Sequence, residues 1–192
     1  MQRVTAIRAT GVEHVHDRPF TRVRGRRRVR PWTSLCGPLL AAYAAKLVGV
    51  DLSSGMLTKA GARGVYDELV KAELTQFLQS RRNEYDIIVS ADTLVYFGDL
   101  ADALGAASAA LRPGGVLIFT VEKADDADAP EGHRINPHGR YSHTRAYVER
   151  TLAKKGLADL TIEEDVLRQE TGLPVQGLVV TARKSAHERP GA

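Results

Sequence analysis

Apolar runs of strand length alternate with segments of helical period along most of the chain. Leu47–Ser53 reads LVGVDLS, an apolar run that closes on a carboxylate and predicts a buried parallel strand with Asp51 at its tip. Leu69–Leu74 (LVKAEL) predicts a short strand ending at Glu73, and Asp86–Ser90 a fully buried one. Val116–Glu122 is a further apolar strand, entered through the stop and turn of Arg112-Pro113-Gly114-Gly115. Strands are also expected near Asp159–Glu164 and at Val175–Arg183, joined by a short polar segment, which suits an antiparallel pair at a sheet edge.

Helices fill the intervals. Ser34 can cap a helix that places Leu39, Leu40, Tyr43 and Leu47 at helical spacing. Capping serines open a short helix that ends near Gly64, and Thr75–Arg82 predicts another. Asp99–Leu111 is alanine-rich and helical, and His143–Lys155 predicts a helix that stops at Gly156. Ala124–Gly139 reads as a polar loop. Alternating strands and helices imply an α/β sheet with helices on both faces.

Residues 1–33 break this pattern. They have neither helical nor alternating periodicity, and RVRGRRRVRP is charge-dense and ends in proline. Three parts follow: an atypical arginine-rich segment over 1–33, expected to be irregular, an α/β domain over 34–184, and a polar tail over 185–192. The 192 residues carry a net charge of +4, and the excess sits in the first segment, with Arg22, Arg24, Arg26, Arg27, Arg28 and Arg30 close together. Such an arm could bind nucleic acid through phosphates. Phe20 and Trp32 only flank it, so base stacking has little support, and a solvated tail is the simpler expectation. Cys36 is the only cysteine, which excludes an intramolecular disulfide and suits a reducing, cytoplasmic setting. No apolar stretch approaches the roughly 20 residues of a membrane span.

In open α/β sheets ligands bind beyond the carboxyl ends of the strands, where an acidic residue grips a ribose diol. Asp51 has that position. A carboxylate suits the task because it only accepts hydrogen bonds and can take two donors together. The same residue could instead cap the following helix.

Three pieces in order carry a resemblance: GVDLSSGML (Gly49–Leu57), DIIVSADTLVYF (Asp86–Phe97) and LRPGGVLIFTVE (Leu111–Glu122). Together they resemble the class I S-adenosylmethionine-dependent methyltransferases over roughly residues 35–184. GRYSHTRAYV and GLPVQGLVV look closest to the bacterial group associated with tetratricopeptide repeats, although no repeat is visible. The resemblance implies a Rossmann-like sheet and S-adenosylmethionine as cofactor. It implies Asp51 on the ribose, Leu52 and Met56 near the adenine, and Glu73 by the adenine amino group. It implies Asp92 and Tyr96 facing substrate and cofactor after the fourth strand, with Asp92 orienting the acceptor or binding the methionyl amine. Tyr141 and His143 fall on the substrate side, His143 as a candidate general base. The acceptor is expected to be a small molecule, and no metal is called for.

The chain departs from the family at one place. Members carry a first strand ending in an acidic residue and a Gly-x-Gly-x-Gly turn about 20 residues before the ribose-binding acid. Here the stretch is RRRVRPWTSLCG, which offers Gly37 alone, and Pro31 could not sit in a central strand. An out-of-frame reading of a GC-rich gene would give such a segment. The expectation is a degraded or absent first strand and weakened cofactor binding. Alternatives are a non-catalytic remnant and a nicotinamide-dependent oxidoreductase, the latter opposed by the missing G-x-G-x-x-G, together with a nucleic-acid binder using the basic arm.

Overall fold

The computed structural model describes residues 3–8, 36–41 and 44–186. The arginine run at 22–30, the Ser34 cap, Tyr43 and the last six residues of the tail lie outside the described residues. The chain order is β1 (Arg3–Arg8), α1 (Cys36–Leu40), β2 (Lys46–Asp51), α2 (Ser54–Gly61), β3 (Glu68–Lys71), α3 (Leu74–Gln79) and β4 (Tyr85–Ser90). There follow α4 (Ala101–Ala110), β5 (Leu111–Lys123), β6 (His133–Ile135), β7 (Tyr141–His143), α5 (Arg145–Lys154), β8 (Leu157–Glu170) and β9 (Leu173–Lys184). The nine strands form one sheet of order β3-β2-β1-β4-β5-β7-β6, with β9 antiparallel to β5 and β8 antiparallel to β9. The expected α/β architecture and its antiparallel C-terminal pair are both present.

Both faces of the sheet are covered, and strand alternation assigns each side chain to its face. Val48, Val50, Ile88, Leu117 and Phe119 point into the larger core with Leu78, Leu104, Val148 and Leu152 of α3, α4 and α5. Leu47, Ile87 and Val89 point to a smaller cluster with Leu40, Tyr66 and Ile118. Parallel strands β2 and β4 are buried on both faces, which is why they read as continuous apolar runs.

The centre of the sheet corrects the expectation for the first segment. While most of RRRVRPWTSLCG, where the first strand and its glycine turn were expected, lies outside the described residues, Arg3–Arg8 is a strand and lies between β2 and β4. Its direction is opposite to theirs: Arg3 pairs with Asp51 and Arg8 with Lys46 on one side, and Thr5 pairs with Val89 on the other. Its amino end therefore lies at the carboxyl tips of β2 and β4, where the family's parallel strand would finish in its glycine turn. Arg3–Arg8 escaped notice in the sequence because RVTAIR has two charges and only modest apolar content.

Other boundaries move for local reasons. Described helix in the first interval is the five residues of α1, and Leu47 belongs to β2. Glu73 lies beyond β3 and caps α3. The Pro-Gly-Gly turn is absorbed into β5 as a bulge: Tyr85 pairs with Leu111, but Ile87 already pairs with Val116, and Gly114 takes the left-handed φ of 79° that the bulge needs. The polar loop contains β6, hairpinned to β7, and His143 closes β7 while Thr144 caps α5.

Deleting residues 1–8 removes the strand that satisfies the facing backbone edges of β2 and β4. The deletion is expected to abolish slow hydrogen exchange at Leu47–Asp51 and Ile87–Ser90 and to lower the urea midpoint. Unchanged protection in both strands would show that β1 does not occupy this slot.

Candidate functional site

The carboxyl ends of β2, β4 and β5 carry the polar groups from which a site can be built. Asp51 closes β2, is 5% exposed, and accepts the Ser53 amide at 2.7 Å through Oδ1. Ser53 in turn caps α2, accepting from the Met56 amide at 3.3 Å. Strand tip and helix start are thus locked together, and the carboxylate sits at the end of the sheet. Leu52 beside it is 47% exposed, while Met56 is buried at the base of α2.

Glu73 lies on the next strand–helix junction, and both its oxygens are engaged: Oε1 accepts from Thr75 N at 2.9 Å and Oε2 from Gln76 N at 2.8 Å. Its evident work is to cap α3. Gly37 is buried in α1, where a Cβ would run into the Tyr66 hydroxyl. The Tyr66 ring also lies over Gly49 of β2, so Gly37 serves ring packing on the sheet and forms no part of a turn at a strand tip.

Asp92 follows β4 with a left-handed φ of 54°. Its amide donates to Thr120 Oγ1 of β5 at 3.0 Å, and its Oδ1 accepts from Arg168 Nη1 at 3.2 Å. Its side chain is 58% exposed. Arg168 is the hub of an ionic cluster that sequence reading missed. Nε donates to Glu170 Oε1 at 2.9 Å and Nη2 to Glu122 Oε1. Arg140 also pairs with Glu170, and His138 stands 3.6 Å from Glu122 Oε2. Hydrogen bonding to Arg168 holds the Glu170 carboxyl below the ordinary range. Two signals were available: Glu122 ends an apolar strand as Asp51 does, and Arg168 and Glu170, two apart in a strand, share a face.

Tyr141 is half-buried on β7, its ring 6.1 Å from that of His133. Tyr96, in the single turn of helix after β4, is 38% exposed and hydrogen-bonds Arg140. His143 corrects the expectation of a general base. It is 0% exposed, Nε2 meets the Gly98 carbonyl at 2.9 Å, and its ring stacks on Tyr147 at 5.9 Å with His133 at 6.0 Å on another side. Burial drives its pKa down to about 4, against the partial opposition of the Gly98 hydrogen bond. The ring is therefore neutral and lies away from solvent, not in the exposed position expected of a loop histidine. Next to it the Tyr147 hydroxyl donates to Asp99 Oδ1 and receives the Leu100 amide, both at 2.7 Å, tying α5 to the start of α4.

Residues 34–119 match a family described as a methyltransferase domain. Solved structures align over most of the chain. An S-adenosylmethionine-dependent methyltransferase from Mesorhizobium loti shares 23% identity at a TM-score of 0.56, covering 77% of this chain and 84% of that one. The fold is that of the methyltransferases. A structure from Bordetella parapertussis described as a possible exported protein shares 22% identity at a TM-score of 0.56 over 79% of this chain. The 1,6-didemethyltoxoflavin N1-methyltransferase of Burkholderia thailandensis shares 19% at 0.54 over 71%. This chain spans 60% of the length of each of the latter two. No curated protein matches the chain. Among the described residues no helix is long and apolar enough to cross a membrane.

The match to a methyltransferase domain and the S-adenosylmethionine-dependent enzymes among the structural neighbours imply S-adenosylmethionine as the cofactor. On the β2 side the residues suit it, with a buried acceptor-only carboxylate at the strand tip and an exposed leucine beside it. At the β1 position the described residues supply a strand beginning at Arg3 and no glycine turn.

The buried His143 makes stability depend on pH. Its folded pKa of about 4 lies below the ordinary 6.5, so the unfolded chain takes up the proton first. Stability is fully present above pH 6.5 and falls as pH drops toward 4, by roughly 3 kcal/mol. Urea titrations at stepped pH should show this slope in the wild type and its loss in His143→Gln. An equal slope in the variant would assign the pH dependence elsewhere.

Proposed function

We propose that this protein is an S-adenosylmethionine-dependent methyltransferase acting on a small-molecule acceptor. The observation that carries the reading is the Asp51 carboxylate, buried at the carboxyl tip of β2 and braced by Ser53. On this reading Asp51 accepts both ribose hydroxyls, Leu52 and Met56 lie near the adenine, and Glu73 lies on the adenine side. Tyr141 then belongs to the acceptor side, and Asp92 either orients the acceptor or binds the methionyl amine. GRYSHTRAYV and GLPVQGLVV support the tetratricopeptide-associated group.

The cofactor supplies a sulfonium that is already a strong electrophile, so the chain's task is alignment. It must hold the acceptor in line and exclude water. A neutral, buried His143 is compatible with that, because a base is needed only when the acceptor must lose a proton. The N1-methyltransferase of Burkholderia thailandensis supports a small heterocyclic acceptor as one type the fold accommodates.

The reversed β1 favours a second reading, a non-catalytic remnant, because the glycine turn that lets backbone approach the cofactor has no counterpart among the described residues. Calorimetric titration with S-adenosylhomocysteine separates the two. The methyltransferase reading expects micromolar binding that weakens about ten- to hundredfold in Asp51→Ala, the worth of charge-assisted hydrogen bonds of roughly 1.5–3 kcal/mol. A folded wild type with no binding at millimolar ligand establishes the remnant.

A further inference from the structure

Arg168 lies on β8, yet its side chain, 5% exposed, serves three carboxylates on three parts of the chain: Asp92 after β4, Glu122 at the end of β5, and Glu170 on its own strand. Stability is a weak reason for such a cluster, since apolar packing of the same volume commonly does as well as buried ion pairs. β8 is in any case held along its length by β9. What the guanidinium adds is a link to Asp92. Asp92 holds a left-handed backbone, which persists where its surroundings hold it. Here Thr120 takes the Asp92 amide and Arg168 takes its carboxylate, while the side chain stays 58% exposed.

Asp51 closes β2 and Asp92 lies two residues beyond the end of β4; the two strands flank β1, so their tips stand two strand spacings apart, about 9–10 Å. S-adenosylmethionine held by its ribose at Asp51 carries an ammonium at the end of the chain leading away from the ribose. We propose that Arg168 is a positioning residue, holding the Asp92 carboxylate at the tip of β4 where it meets the methionyl ammonium of the cofactor. The proposal rests on the methyltransferase reading.

Two ligands test it by calorimetry on the full chain. S-adenosylhomocysteine carries the ammonium; 5′-methylthioadenosine keeps the nucleoside and sulfur and lacks the amino-acid part. Arg168→Met and Asp92→Asn are each expected to weaken the first at least tenfold and leave the second within twofold. Arg168→Lys should recover part of the loss, and the double variant should add little to either single one. Equal weakening of both ligands, or no weakening of the first, overturns the proposal while leaving the cofactor reading intact. Asp92→Asn decides the matter if Arg168→Met fails to fold, because Asp92 lies on an exposed loop. A wild type that binds neither ligand defeats the methyltransferase reading, and the positioning role falls with it.

Discussion

The slot between β2 and β4 is the constraint on which the rest depends. Both strands are parallel, buried on both faces, and separated by one strand's width. Their facing amides and carbonyls must be paired, because an unpaired backbone group away from water costs about as much as a lost hydrogen bond. A strand of either direction can satisfy that demand. Arg3–Arg8 does so in the antiparallel sense, and the choice has a consequence for function. A parallel strand would deliver its turn to the carboxyl face, whereas β1 delivers its first residue there and leaves at the opposite end. The sheet is completed, and its carboxyl face carries what β2, β4 and β5 bring to it.

The buried parallel strands were legible in the sequence because burial on both faces leaves an unbroken apolar run, as in Leu47–Val50 and Ile87–Val89. The place of Asp51 at the tip of β2 was legible for the same reason, as the carboxylate that ends such a run. β1 was not legible: a six-residue strand with an arginine at each end has no period-two signature strong enough to separate it from the arginine-rich stretch behind it. Pro113-Gly114-Gly115 was read as a turn because the residues are turn formers, and only the pairing with β4 reveals that the strand passes through them as a bulge. Glu73 was placed one element early for a like reason, its capping bonds being local and its strand ending sooner than the apolar pattern.

Chemistry that depends on long-range meeting was hidden more completely. Arg168 and Asp92 are 76 residues apart, and nothing in either segment announces the other. His143 carried the opposite error, because a histidine in a polar segment reads as solvated. The hairpin of β6 and β7 buries it, setting His133 and Tyr147 against its ring. Side-chain identity was sufficient to nominate it, while its burial was visible only in the fold.

The three residues of β7 show how the carboxyl end keeps two incompatible environments apart. Ser142 turns to one face, where Asn136 Nδ2 donates to its hydroxyl at 2.6 Å and also reaches Glu122 Oε2 at 3.4 Å. Tyr141 and His143 turn to the other, where the aromatic rings and Tyr147 lie. Strand alternation thus places a charged network and a neutral, desolvated one on opposite sides of a single short strand. The separation matters energetically. Glu122 and Arg168 are stable in burial only because each compensates the other, and the His143 ring is stable only while it is uncharged. A one-residue slip of β7 against β5 would exchange the two sets, exposing each to the surroundings that penalise it. Register at this edge is therefore enforced from both faces.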